Sequence, residues 1–241
     1  MQKNRLPLVA ALLGTLALGA CTTTDPLSLA QNDPFEPTNR EIFAFTIALD
    51  KAVSAPAARA YRDVIPQPAR QGVRNALANL NSPVVLVNDV LQGEGDKAVN
   101  TVGRFLVNST VGLAGLVDVA SDIGIPGHEN DFGITLGKGG VQEGSFLLLP
   151  FLGPKPPRDL LGDGVDMAFD PLTYMTWNNS TLYMMIRGGL TVLDKREGTL
   201  DTVESIERTS IDFYATTRSL YRQNRNAAIR GDAANEDLPN F

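Results

Sequence analysis

The chain holds a single cysteine, Cys21, and it stands where an apolar run stops. Lys3 and Arg5 open the sequence, no acidic residue occurs before position 21, and Leu6 to Ala20 is almost wholly apolar or small. A charged start, an apolar stretch and a small-residue end form the layout of a secretory leader that is removed. The run is 15 residues long, short of the roughly 20 that cross a bilayer, so cleavage is the expectation rather than a permanent anchor helix. Residues 1–20 are therefore read as a signal peptide outside the fold.

Leu18-Gly19-Ala20-Cys21 resembles the bacterial lipobox, in which the cysteine thiol receives a diacylglycerol and becomes the new N-terminus. Cys21 is thus expected to be the lipidation site. One buried acyl chain binds a membrane marginally, at about 0.8 kcal/mol per CH₂, whereas two or more hold it stably. Thr22, rather than an aspartate, follows the cysteine, which resembles an outer-membrane address. With Cys21 acylated no thiol remains for a disulfide, so the fold has to be held by its own packing.

Residues 1–20 carry two basic side chains and no acid, so without them 19 Lys and Arg face 27 Asp and Glu, a formal charge of −8. An acidic chain of this kind is a poor ligand for nucleic acid or anionic lipid. Residues 21–35 read as a lipidated tether, 36–230 as one domain, and 231–241 as a flexible acidic tail.

Helical periodicity dominates the domain, so the class is mainly α. Thr38 and Glu41 have capping-box spacing, which predicts a helix from Thr38 ending near Pro56. Ile42, Phe43, Phe45, Ile47, Leu49 and Val53 spread over more than one narrow stripe, as in a helix buried on two sides or facing lipid. A second helix fits 67–80, with Pro68 in its first turn, Val73, Leu77 and Leu80 on one face, and Arg70 and Arg74 on another. Pro83 is expected to break the chain before "VVLVNDVL", which fits either a strand or a short buried helix. A third helix fits 94–108, with Ala98, Val99, Val102, Phe105 and Leu106 on one stripe, and the last fits 199–229.

Between them, 109–154 is rich in small residues that let backbones approach closely. Asp118 and Asp122 rule out a spanning helix there; they read as a solvated face of a short helix or as the lining of a wet cavity. Residues 172–190 combine Tyr174, Trp177 and Tyr183 with Met175, Met184 and Met185. Such a cluster is core, or it meets a membrane–water boundary.

No catalytic pattern emerges. With His128 alone, HExxH and multi-histidine metal sites are impossible. Ser145 lacks the flanking glycines of a nucleophile elbow. Asp163, Asp166 and Asp170 miss the calcium-loop spacing and read as helix-start or turn residues. His128 reads as a turn or surface residue, with a serine–histidine–aspartate arrangement left open.

Six blocks in order, "DPFEPTNREIFAF" (33–45), "PQPARQGVRNALANL" (66–80), "NDVLQG" (88–93), "RFLVNSTVGLAGLVDVA" (104–120), "DFGITLGKGGVQEGSFLLLPFLGP" (131–154) and "RDLLGDGVD" (158–166), resemble the MlaA/VacJ outer-membrane lipoproteins of Gram-negative bacteria. The resemblance implies a non-enzymatic protein without cofactor or metal. It implies a helical ring in the inner leaflet of the outer membrane, with an amphipathic channel, beside a trimeric porin. Such a protein removes mislocalised phospholipid from the outer leaflet, passes it to a soluble periplasmic lipid-binding protein and so maintains lipid asymmetry. On that footing Phe43, Phe45, Ile47, Leu113, Leu116 and Trp177 are the candidate lipid-contacting or channel residues. Two departures stand out: Thr46 replaces a usual Asn, and "HEN" precedes "DFG". A lipoprotein that only braces a porin assembly, and a lipid hydrolase using His128 or the aspartates, are the competing classes.

Overall fold

A computed structural model describes residues 22–176 and 178–231; Cys21, Trp177 and the acidic tail lie outside the described residues. Residues 22–35 are not a loose tether. Asp25 caps a short helix α1 (Pro26–Ala30) by accepting from the Ser28 N–H, and Asp33 is fully buried. The Asp33 carboxylate takes hydrogen bonds from Asn39, Tyr214 and Arg218, long-range partners that a segment lacking hydrophobic periodicity does not reveal.

Helix α2 (Glu36–Leu49) starts two residues before Thr38, with Pro37 in its first turn and no side-chain cap. It does not stop at Pro56. A five-residue π-helical segment (Asp50–Ser54) carries the chain straight into α3 (Ala55–Val64): the Ala55 N–H reaches back to the Asp50 carbonyl, and Pro56, which has no N–H to place, follows at the widened turn. The wide turn turns Asp50 toward α9 (Ser180–Gly198), where Arg196 grips it with two nitrogens.

Helix α4 (Gln67–Leu91) runs through Pro83, so "VVLVNDVL" is helical and the expected break is absent. Packing overrides the local penalty: α4 and α5 (Gly95–Thr110) form the most extensive helix pair of the molecule, joined at Gln92–Glu94. After α5 come a knot of turns, a four-residue helix α6 (Val119–Asp122), a loop, and α7 (Phe132–Lys138) capped by Asp131. A minimal antiparallel pair, β1 (Leu148–Leu149) and β2 (Gly153–Pro154), sets Leu148 opposite Pro154. Helix α8 (Pro157–Phe169) packs on α7, and a 3₁₀ turn (Pro171–Tyr174) follows.

The expected single C-terminal helix is two, α10 (Leu200–Thr209) and α11 (Phe213–Arg230). Asp212 explains the break: its extended backbone starts a new helix, its carboxylate accepts from the Ala215 N–H, and Arg40 of α2 holds both of its oxygens. The apolar core sits here. Phe146, Leu148 and Tyr214 are buried together, with Ile42, Phe43 and Tyr221 packed around them. The ring of Phe43 meets those of Phe213 and Tyr214 edge-on at 5.1 and 5.6 Å between centroids. A smaller cluster, Ala55, Ala58 and Leu200, joins α3 to α10.

Candidate functional site

The α4–α5 hairpin buries an unusual number of polar side chains. Asn79, Asn88, Asp89, Thr101 and Asn108 are each at least nine-tenths buried, alongside Val84 and Val85. The exposed side of α5 and of the loop after it is largely apolar: Val99, Leu106, Val111 and Leu113 are more than half exposed, and Val102, Phe105, Leu116 and Val117 follow them, whereas α4 exposes Gln71, Arg74 and Asn81 as well as Val90 and Leu91. Scattered exposed apolar residues are ordinary on a protein in water; so many along one helix and the loop that follows are not.

The polar interior is a connected network. Asp89, with no exposure, accepts from Thr101 Oγ1 at 2.7 Å and Asn130 Nδ2 at 2.7 Å, and pairs with His128 Nε2 at 2.7 Å. Asn88, equally buried, donates to Asp166 Oδ1 at 2.8 Å and accepts from Thr135 Oγ1 at 2.7 Å. Gln92, one turn on, reaches Asn130 and Thr135. Through these residues α4 is fastened to α5, α7 and α8. His128 therefore serves an interior carboxylate and is not a surface residue. Asp166 is not at a helix start: it lies within α8 and accepts the Phe132 N–H at 3.0 Å. Burial raises its carboxyl pKa, against the pull of those hydrogen bonds.

The loop after α5 presents the apolar tip. Leu113 and Ala114 have φ of 53° and 58°, a left-handed conformation that side chains normally avoid, followed by Gly115 at 91°. A Cβ on Gly115 would collide with Asn79, and one on Gly112 with the Val117 carbonyl, so both glycines are required by close approach. Asn75 Nδ2 holds the Leu116 carbonyl at 3.1 Å. Behind the loop Asp118 takes both oxygens' worth of bonds from Arg104, plus one from Asn108 at 2.8 Å. Asp118 caps α6 and Asp122 is exposed, so the pair makes neither a shared carboxylate face nor a cavity wall.

A second charged cluster ties α3 and α4 to α9. Arg62 and Arg70 meet Glu197, and Arg74 meets Asp194 at 3.0 Å and Glu197 at 3.2 Å, which uses the face that Arg70 and Arg74 share. A polar cleft of about 520 Å³ opens elsewhere, beside Asn32, Ser145, Arg158 and Asn226. It has no apolar wall for an acyl chain. Among the described residues no helix is long and apolar enough to cross a membrane, and no group of three or more His, Cys, Asp or Glu is placed to hold a metal ion.

The candidate lipid-contacting residues divide. Leu113 and Leu116 are exposed at the loop tip, and Phe45 is exposed with its ring edge-on to Phe151 at 6.2 Å. Ile47 is half-buried. Phe43 belongs to the aromatic core instead, because its side of α2 faces α11. Cys21 and Trp177 lie outside the described residues. Thr46 donates to the Ile42 carbonyl at 2.8 Å, a bond within its own helix. Asn88 and Asp89 are absent from the candidates of the sequence, although two polar residues set in the apolar run from Val84 to Leu91 mark them.

The sequence profile of the MlaA lipoprotein family matches residues 31–228. This chain belongs to the MlaA lipoprotein family. It is 34% identical over 241 residues to the intermembrane phospholipid transport system lipoprotein MlaA of Escherichia coli K12, covering 98% of this chain and 94% of that one. The MlaA lipoprotein of Haemophilus influenzae is 31% identical, with 90% and 88% covered. A solved structure described as "Structural basis for maintenance of bacterial outer membrane lipid asymmetry" superposes with a TM-score of 0.74 at 32% identity, covering 82% of this chain and 98% of that one. The six sequence blocks lie within the MlaA match or at its edge, and the helical class agrees with that of its structural neighbour.

Proposed function

We propose that this protein is an outer-membrane lipoprotein, anchored through Cys21, that removes mislocalised phospholipid from the outer leaflet and delivers it to a soluble periplasmic lipid-binding protein. The relatives named as intermembrane phospholipid transport lipoproteins support the activity. One observation in this chain carries it: α5 and the loop after it expose Val99, Val102, Phe105, Leu106, Leu113 and Leu116. Such a surface suits phospholipid tails, which stay in hydrocarbon while the headgroup charge requires polar partners throughout the passage. A ring lying in the inner leaflet beside a trimeric porin meets that need, with the exposed Phe45, Leu113 and Leu116 toward acyl chains. No hydrolytic step is required, and His128 is engaged with Asp89.

The test is the amount of outer-leaflet phospholipid on intact cells, compared among the wild type, a deletion strain and the deletion carrying the Cys21→Ala variant. Excess phospholipid in the deletion, unrelieved by the unlipidated variant, is expected. No excess would remove the transport reading and leave a bracing lipoprotein; fatty acid release that disappears in His128→Ala would favour a hydrolase.

A further inference from the structure

The fold takes hold of the chain almost as soon as Cys21 is passed. The Thr23 N–H donates to the Pro34 carbonyl at 2.7 Å. Thr23 is two residues from Cys21, so at most about 7 Å of backbone separates the two. From there on the segment is fastened. Ser28 and Asp33 are buried, and the Asp33 N–H returns to the Ser28 carbonyl at 2.9 Å. Asn32 Nδ2 donates to the Gly144 carbonyl at 2.6 Å, and the Asn32 carbonyl accepts from the Phe146 N–H at 2.9 Å and from Arg222 Nη2 at 3.2 Å. The Asp33 carboxylate is gripped by Arg218 of α11. Had residues 21–35 formed a flexible leash, its ends would range over roughly 20 Å.

The surface held beside the anchor is uncharged. From Thr22 to Asn32 the one ionisable side chain is Asp25, and its carboxylate is turned back to accept from the Ser28 N–H at 3.1 Å and the Ser28 hydroxyl at 2.9 Å. Helix α1 is inverted for a protein in water: its serine is the residue turned inward, while Pro26, Leu27, Leu29 and Ala30 are all exposed. Leu27 is 77% and Leu29 50% exposed.

We infer that Cys21 pins the domain rather than leashing it, so that the acyl chains and the outer face of α1 meet the same leaflet side by side. Pro26, Leu27, Leu29 and Ala30 then lie at the membrane–water boundary, the level at which an uncharged, apolar-faced segment rests. The inference depends on the lipidated Cys21 of the reading above, and the occupant of the α1 face is the phospholipid leaflet that holds those chains.

Cys21 is the sole cysteine and acylation blocks it, so Leu27→Cys supplies one thiol for a fluorescent label. The full lipidated chain is placed in vesicles of phosphatidylethanolamine and phosphatidylglycerol that contain a phospholipid spin-labelled either near the headgroup or near the chain end. The shallow probe should quench the label at least about threefold more than the deep one. Ala30→Cys, labelled in the same way, should agree. A flexible Gly-Ser segment of about 12 residues between Thr22 and Thr23 should cut the shallow quenching by more than half, because the anchor then holds α1 on a leash. That insertion leaves the Thr23–Pro34 bond and everything after it in place.

Labels that neither probe quenches would show α1 in water and overturn the inference. Stronger quenching by the deep probe would overturn the placement at the boundary. Equal quenching with and without the insertion would mean that the domain seats itself and that the short connection fixes nothing. The mass of the N-terminal peptide separates these failures from that of the underlying reading: an unacylated Cys21 counts against the anchor itself, whereas an acylated Cys21 with unquenched labels removes only the role of α1.

Discussion

Where α2 meets α11, Phe146, Leu148 and Tyr214 are buried with Phe43 packed on them, beside one polar cluster of Asp33, Asn39 and Arg218. Where α4 meets α5, α7 and α8, polar side chains lead: Asn88, Asp89, Thr101 and Asn130 are buried together with Val84, Val85 and Ile134, while valines, a leucine and a phenylalanine of α5 are exposed. The first region is stabilised as any domain in water is, by removing apolar surface from solvent at about 25 cal/mol per Å². The second region buries Val84, Val85 and Ile134 as well, but among more polar groups. Its cohesion rests on hydrogen bonds whose groups are shielded from water, which are costly to leave unmade. One chain thus contains an aromatic core and a largely hydrogen-bonded interior flanked by the exposed apolar side of α5, and it is the second region that offers the proposed lipid path a surface for acyl chains.

The largest effect should come from breaking each half at its centre. Asp89→Ala removes the acceptor for Thr101, His128 and Asn130. Stranding buried donors in this way should cost about 3–5 kcal/mol, read as unfolding free energy in micelles. Phe146→Ala should cost a similar 3–5 kcal/mol for a different reason, the cavity left by a fully buried ring. The two separate on rescue. Asp89→Asn keeps an acceptor oxygen and should recover much of the loss, whereas Phe146→Leu should recover the core by volume. A loss below about 1 kcal/mol for Asp89→Ala would mean that the polar interior is not what holds the hairpin, and the contrast would collapse.

Much of the helical framework was legible, and the reason it stops there is physical. The stripe Val99, Val102, Phe105 and Leu106 follows from spacing alone, but period carries no information about which solvent the stripe faces. In α5 it faces outward. Pro83 reads as a breaker because local propensity is local, and tertiary packing between α4 and α5 outweighs it. The α10–α11 break depends on Arg40 reaching Asp212 across 172 residues, which no window of sequence contains. The site residues behave likewise: Leu113 and Leu116 are candidates through the family resemblance, while Asn88 and Asp89, visible as polar residues in an apolar run, take their role only when Thr101, His128 and Asp166 come to them.

A smaller effect should appear at the joint behind the apolar loop. Burial alone would raise the Asp118 carboxyl, but hydrogen bonds from Ser121, Asn108 and Arg104 outweigh it and hold the pKa at about 2, against 3.8 for a free aspartate. A depressed pKa means stabilisation that is complete above the free value and disappears as pH falls through the folded one. Between about pH 4 and pH 2 the chain should therefore lose roughly 2 kcal/mol through this group. Asp118→Asn should remove that part of the acid slope, measured as unfolding free energy against pH. An unchanged slope would show that the carboxylate is not held as its hydrogen bonds indicate.

The smallest effect has the opposite sign. Ala114 sits at φ 58°, where an L-residue with a Cβ pays about 1–2 kcal/mol that glycine does not. Glycine returns part of that as extra freedom of the unfolded chain, so Ala114→Gly should stabilise by about 0.5–1 kcal/mol in chemical unfolding. Leu113 has the same backbone problem, but removing its side chain would also strip the exposed tip, so Ala114 is the cleaner probe. Natural chains shed strain of this kind unless the rigid shape is in use. If Ala114→Gly stabilises the protein while slowing phospholipid removal in cells, the loop holds Leu113 and Leu116 outward at a thermodynamic cost because their placement matters to the lipid. If it stabilises and leaves removal untouched, the loop is a passive connection, and the apolar tip contributes by its hydrocarbon alone.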